Sequence, residues 1–293
     1  MSQIRKAVIP AAGCGTRMFP ATYAIPKEML PVAGKPLIQY AIEEAAESGI
    51  EEVVLVLSQG KETIIEHCRA LRSSISFDPA HSAKLPTIQV AWQQAPRGLA
   101  DAILTARGFI GEESFAVILP DVLIDSKTPC TAQLAECCDA NARCVIAMRD
   151  VDSDKTDRFG ILELSEEETH SQQTFRIKSL IEKPGPDMAP STYGIYGRYI
   201  LPVEIFDCIE EIQPGFGEER QLTDALNLLA NKIPAFGFLF EGTHYDAGNH
   251  PEFLEASVVY ALKNPAAYPD LSNRLEEFLR QHNPQPALSR LAS

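Results

Sequence analysis

The stretch Ala11-Ala12-Gly13-Cys14-Gly15-Thr16-Arg17 puts two glycines and an arginine directly after Lys6-Ala7-Val8-Ile9-Pro10, a short apolar run that reads as a buried strand. Glycine lets backbone N–H groups approach an anion closely. Arginine adds a planar fork that is always charged. Lys27, in Pro26-Lys27-Glu28-Met29-Leu30-Pro31, can bring a point charge to the same pocket. Together these residues suit the grip of a polyphosphate, hence a nucleotide site; an ordinary turn with surface cations is the plainer reading. The dinucleotide fingerprint fails because Met18 stands where its third glycine belongs. The P-loop pattern fails because no Gly-Lys-Ser/Thr follows. Cys14 has no histidine near it in sequence to activate a thiolate, so it reads as a small filler.

Two aspartates are candidates for a hard cation. Asp121 follows the apolar run Phe115-Ala116-Val117-Ile118-Leu119, at the carboxyl end where open α/β sheets bind ligands. Magnesium is often held by one or two carboxylates plus substrate phosphates. Capping a turn is the competing use of such an aspartate. Asp246, in His244-Tyr245-Asp246-Ala247-Gly248-Asn249, is the second candidate. His244 has no partner histidine at ligand spacing, which speaks against a transition-metal site. Glu182-Lys183, before Pro184, pairs an acceptor for sugar hydroxyls with a cation for a phosphate. Adjacent strand residues point to opposite faces, so both reach one ligand only where the strand ends or bulges. A solvated charge pair before a turn proline fits the same residues.

Alternating β-α units must position these groups. Strands are expected at residues 6–10, 53–57, 88–92, 115–119 and 144–148, and helices at 37–45, 62–71 and 99–107, with Gly49 as a helix stop. The second half reads as strands at 160–164, 175–182 and 193–199 and helices at 203–212, 221–231, 251–262 and 271–281. Residues 73–86 read as a loop, and 283 onward as a frayed tail. The fold class is α/β: a Rossmann-like, mostly parallel or mixed central sheet with helices on both faces and a small sugar-side subdomain. The expected organisation is a catalytic domain over 1–265, split near 150 into nucleotide and sugar halves, then a C-terminal helix and tail over 266–293.

The chain has 293 residues, enough for a large core. Its formal net charge of −14 argues against non-specific nucleic-acid binding but not against a small anionic ligand in a locally positive pocket. Glu166-Glu167-Glu168 and Glu210-Glu211 read as solvated surface. No apolar run is long enough to span a bilayer, and no signal-peptide order opens the chain. Seven cysteines, none in a C-x-x-C pair, suit reduced thiols in the cytoplasm.

As an ordered set, these motifs resemble the sugar-nucleotide pyrophosphorylase family, in particular its bacterial uridylyltransferase branch. The resemblance is carried by residues 11–17, 24–31, Lys35-Pro36-Leu37-Ile38-Gln39-Tyr40, 117–122, Glu182-Lys183-Pro184, Gly197-Arg198-Tyr199, Gln221-Leu222-Thr223-Asp224-Ala225 and Asp246-Ala247-Gly248-Asn249. It implies a nucleotidyltransferase fold, joining UTP and glucose 1-phosphate to UDP-glucose with release of pyrophosphate, a Mg2+ cofactor and a homo-oligomer, dimer or tetramer. By the likeness, Ala11, Ala12 and Gly13 lie against base and ribose, with Gly15 and Thr16 in the same turn. Gln93 bonds the uracil edge beside Gly98. Arg17 and Lys27 hold the triphosphate and the reacting α-phosphate, and Asp121 and Asp246 hold the metal. Gly160, Glu182 and Gly197 line the glucose, and Lys183 takes its phosphate. Arg17, Lys27 and Lys183 are then the catalytic cations.

Departures bear on specificity. The segment between residues 73 and 86 is short for the branch, and Gln93-Gln94-Ala95-Pro96-Arg97-Gly98-Leu99-Ala100 looks like the thymidylyltransferase branch. Tyr23 and Phe159 stand where lysine and tyrosine are usual. The alternatives are a thymidylyltransferase making dTDP-glucose and a non-catalytic paralogue that binds a nucleotide sugar and modulates a partner.

Overall fold

In this computed structural model, residues 4–75, 85–138, 143–169, 171–215 and 219–282 are described. The first half is built as its periodicity dictates: β1 (Lys6–Ala11), α1 (Leu37–Glu47), β4 (Glu52–Leu57), α2 (Glu62–Ile75), β5 (Thr87–Trp92), α3 (Leu99–Thr105) and β6 (Phe115–Ile118), with the two-residue strands β2 (Pro31–Val32) and β3 (Lys35–Pro36) between β1 and α1. Gly49 closes α1 with φ at 78°, and Ile50 N–H reaches back to the Ala45 carbonyl at 3.0 Å.

Two expectations shift here. The helix expected over 99–107 stops at Thr105, and a short α4 (Arg107–Ile110) follows it. The segment expected as a loop from 73 begins inside α2, whose Arg72 donates to the Pro86 carbonyl at 2.7 Å and so ties the helix end to the approach to β5. Residues 76–84 of that segment, the side chains of Glu166–Glu168 and the tail from 283 lie outside the described residues.

Nine strands form one mixed sheet in the order β5-β4-β1-β6-β11-β8-β12-β10-β9, with β8 (Cys144–Asp150), β9 (Gly160–Thr169), β10 (Thr174–Glu182), β11 (Tyr193–Leu201) and β12 (Ala235–Leu239). The β5-β4-β1-β6 part is parallel, and β11 runs antiparallel between β6 and β8. The strands of the second half therefore extend the same sheet.

Alternation along each strand feeds two cores. Val8, Val54, Val56 and Val117 face one, under α3, α6 (Glu204–Glu211) and α7 (Leu222–Lys232). Ala7, Ile9, Val53, Leu55 and Ile118 face the other, under α1, α2 and α5 (Cys130–Cys137). Each aliphatic side chain buried this way contributes about 1.5–3 kcal/mol. A third, smaller cluster joins Val32, Leu37, Leu123, Tyr245 and Ala256. It seats a separate ribbon of β7 (Val122–Asp125) and β13 (Thr243–Asp246), with α8 (His250–Leu262) behind it. The C-terminal α9 (Leu271–His282) follows α8 and has no buried residue.

Candidate active site

β1 ends at buried Ala11, buried Ala12 follows it, and the chain then turns outward through Gly13 and Gly15. Gly15 has φ at 67°, in the left-handed region that favours glycine. A 3-10 turn over Thr16–Met18 follows, anchored by fully buried Met18, and it leaves Arg17 60 % exposed at the rim. A second 3-10 turn, Lys27–Met29, carries Lys27 beneath it.

The β7–β13 ribbon brings the two aspartates together. Its register pairs Asp246 with Val122, the neighbour of Asp121. Arg17 bridges both carboxylates, with Nη1 3.2 Å from Asp246 Oδ2 and Nη2 3.5 Å from Asp121 Oδ2. Lys27 Nζ lies 2.6 Å from the same Asp121 oxygen. Burial opposes ionisation of Asp121, but the charges of Lys27 and Arg17 outweigh it and hold the carboxyl below its usual range. Burial likewise works against charged Lys27, and Asp121 and Glu28 more than compensate, so its pKa is raised.

Gly248 sits between these groups. A Cβ there would lie 2.6 Å from Arg17 Nη2, 2.8 Å from Asp121 Oδ2 and 2.9 Å from Asp246 Oδ1. The missing side chain leaves a cradle flanked by oxygens of both carboxylates. Two carboxylates with room between them match what Mg2+ takes from a protein when substrate phosphates and water complete its octahedron. Among the described residues no group of three or more His, Cys, Asp or Glu could hold a metal by itself, so a cation here would need ligands from substrate.

From this point a cleft of about 830 Å³ runs across the carboxyl edge of the sheet, lined by Arg17, Asp121 and Asp246 at one end and Gly160, Glu182, Lys183 and Gly197 at the other. Glu182 is the last residue of β10, paired with Gly160. Lys183 follows with φ at 46°, a left-handed conformation rare for a residue with a side chain. That turn resolves the opposite-face problem. Lys183 swings back, its Nζ 3.1 Å from Glu182 Oε1, and both line the cleft. Gly160 is glycine for space, since a Cβ would stand 3.0 Å from Thr223 Oγ1 and 3.2 Å from Glu182 Oε2.

Gln93 and Gly98 stand outside this lining. Gln93 follows β5 and donates to the Gly98 carbonyl at 3.2 Å. Gly98 has φ at 98°, and a Cβ there would meet the Arg220 carbonyl at 2.6 Å.

A nucleotidyl transferase family model matches residues 6–262. The chain belongs to the nucleotidyl transferase family. Within it, the chain is 39% identical over 288 residues to a UTP–glucose-1-phosphate uridylyltransferase of Staphylococcus haemolyticus, covering 94% of this chain and 99% of that protein. It is 38% identical over 292 residues to the protein of that name from Staphylococcus epidermidis, covering 96% and 99%. A solved UDP-glucose pyrophosphorylase complexed with UDP-glucose superposes with a TM-score of 0.81 at 34% identity, over 89% of this chain and 99% of that one. A UTP-bound enzyme from Acinetobacter baumannii does so with 0.77 at 30%, over 95% and 99%.

In this nucleotidyl transferase, several residues with no role expected from the sequence support the site. Arg158 lines the cleft and bonds Glu252 at 3.2 Å. Glu252 Oε2 accepts from the Asp246 backbone N–H at 2.8 Å. The signal was present in Asn249-His250-Pro251-Glu252, a capping-box spacing, and Asn249 Oδ1 does accept from Glu252 N–H at 3.1 Å. Thr223 Oγ1 donates to Glu182 Oε2 at 2.6 Å and fixes that carboxylate.

Beneath the Asp121 turn, buried Arg198 donates to the carbonyls of Leu119 and Val122 at 3.0 and 2.8 Å. Its charge is balanced by Glu44 at 2.7 Å. Burial disfavours ionised Glu44, but Arg198 and Thr131 reverse this and lower its pKa. His244 packs against Tyr196 with ring centroids 4.0 Å apart and ring planes tilted by 57°, both at the cleft wall.

Proposed function

We propose that this nucleotidyl transferase joins UTP and α-D-glucose 1-phosphate to give UDP-glucose and pyrophosphate. The observation that carries the reading is the cleft itself: Arg17 and Lys27 meet two carboxylates at one end, and Glu182 and Lys183 share the other. The relatives named for this reaction support the choice of substrates.

A sugar phosphate is already a nucleophile, so no serine or cysteine is needed to activate it. One of its oxygens forms a bond to the α-phosphorus, the α–β bridging bond breaks, and that electron pair leaves with pyrophosphate. The protein's task is to bring two polyanions together and offset their charge. Arg17 and Lys27 serve the triphosphate, and Lys183 serves the sugar phosphate while Glu182, held by Thr223, accepts from sugar hydroxyls. Ala11, Ala12, Gly13, Gly15, Thr16, Gln93 and Gly98 form the nucleotide side, and Gly160 and Gly197 leave room for the sugar. Asp121 and Asp246 would hold Mg2+, which supplies charge neutralisation at the phosphates when bound. None of the seven cysteines is in a disulfide, which fits a reducing cytoplasm for this enzyme.

The test is pyrophosphate release with UTP, dTTP, CTP and ATP against a panel of sugar 1-phosphates. The expected result is the highest kcat/KM for UTP with glucose 1-phosphate. Equal or better turnover with dTTP would replace the base assignment, and no release with any pair would remove the enzymatic reading.

A further inference from the structure

The amide of Gln93 is held in one orientation by partners that can only accept. Its Nε2 donates to Asp101 Oδ2 at 2.9 Å and to the Gly98 carbonyl at 3.2 Å. A carboxylate and a carbonyl oxygen both require the NH2 end, so the flip ambiguity common to glutamine does not arise here. Both Nε2 protons are thereby spent. The Oε1 that remains has no donor among the described residues and is not sealed from solvent. Asp101, in the first turn of α3, is itself set by helix geometry, with its backbone carbonyl accepting from Thr105 Oγ1 at 2.8 Å.

The position of this oxygen follows from the sheet. Ala11 pairs with Leu57, and Leu57 with Trp92. Gln93 and Ala12 are therefore the next residues on strands two spacings apart, about 10 Å, at the carboxyl edge. A pyrimidine bound over the end of β4 would lie between them.

We infer that Asp101 is a positioning residue that fixes Gln93 with its oxygen toward the nucleotide base, so that the site selects pyrimidines bearing an N3–H over cytosine. The inference rests on the proposed function, in which Gln93 meets the base. Uracil and thymine both donate from N3. Cytosine presents a lone pair there, which would oppose Oε1 and leave both acceptors unpaired, a loss of roughly ten- to a hundredfold. The inference does not separate uracil from thymine.

The experiment measures kcat/KM for UTP, dTTP and CTP with glucose 1-phosphate in the wild type, Asp101→Asn and Asp101→Leu. Asparagine at 101 can turn either end toward Gln93 and so releases the constraint; leucine removes the partner. The expected result is a UTP-to-CTP preference of at least about tenfold in the wild type, and a fall of at least about fivefold in that ratio in folded Asp101→Asn, with the KM for glucose 1-phosphate unchanged. A merely structural role for Asp101 would lower both nucleotides alike. An unchanged ratio in a variant that melts cooperatively would overturn the inference. So would wild-type protein using CTP as well as UTP, a readout that needs no variant to fold. Absence of turnover with every nucleotide would instead overturn the proposed function.

Discussion

The Lys61 ammonium lies 2.8 and 3.0 Å from the two carboxylate oxygens of Glu28 and 2.8 Å from the carbonyl oxygen of Gly13. Glu28 is fully buried and Lys61 nearly so. One cation thus joins the glycine turn to the segment that carries Lys27. Burial drives Glu28 up and Lys61 down, each resisted by the other's charge. The pair is secure only as a pair.

Lys61→Met should therefore cost about 3–5 kcal/mol, because it leaves a buried carboxylate without the cation that bonds both its oxygens. Adding Glu28→Gln should recover most of that loss. The KM for nucleotide should rise in both, since the Gly13 carbonyl loses its donor. Urea melts of the two single variants and the double variant give the coupling. Additive losses across the cycle would show that the pair does not act as a unit.

Asp121→Asn should lower turnover by about 10²-fold or more, the scale of losing one charged group at a phosphoryl site. Fold should persist, because Glu28 still offsets the Lys27 charge. Steady-state rates across a Mg2+ titration, with circular dichroism on the same sample, measure both. Wild-type activity in this variant would remove Asp121 from the site.

Gly248→Ala tests the cradle. The new methyl would press on Arg17 and on oxygens of both aspartates. Arg17 is exposed and can move aside, so stability should change by about 1 kcal/mol or less. The two carboxylates would have to spread, and kcat should drop about tenfold or more, a cost of about 1.4 kcal/mol at the transition state. A stable variant with unaltered kcat and Mg2+ dependence would refute the assignment.

The acid limb of stability follows from Asp121 and Glu44, both held below their ordinary values of 3.8 and 4.5. A carboxylate with a depressed folded-state pKa stabilises fully above its unfolded value. That contribution is lost as pH falls through the folded value. Both contributions should therefore be full and constant between about pH 6 and pH 8, and both should be lost in the decline below about pH 4. Urea midpoints from pH 3 to pH 7 should fall less steeply for Glu44→Gln than for wild type, from a lower plateau. Parallel slopes would contradict this.

Lys183→Ala should raise the KM for glucose 1-phosphate more than that for UTP, by about tenfold, the scale of one charge-assisted contact. Initial rates with each substrate varied in turn separate the two. Equal effects on both would remove Lys183 from the sugar-phosphate end.

Local signals in the chain settled much of this. Apolar runs such as Val53–Leu57 suited strands buried on both faces, and the 3.6-residue spacing of Leu37, Ile38, Ala41, Ile42 and Ala45 gave a helix with one apolar side. The glycine turn, Asp121 and Glu182-Lys183 stood out because each lies at the end of a strand or in the turn after one. The pairing of β7 with β13 did not. Each has four residues, too few for periodicity to show, and their ladder forms only because Leu123 and Tyr245 pack with Val32, Leu37 and Ala256 in the third cluster. Yet that ribbon is what brings Asp246 beside Asp121 and within reach of Arg17, 229 positions earlier. The left-handed turn at Lys183 and the buried Lys61–Glu28 tie are decided in the same way. Secondary structure follows from neighbours along the chain, whereas the meeting of distant charges depends on which surfaces the packed cores leave next to each other.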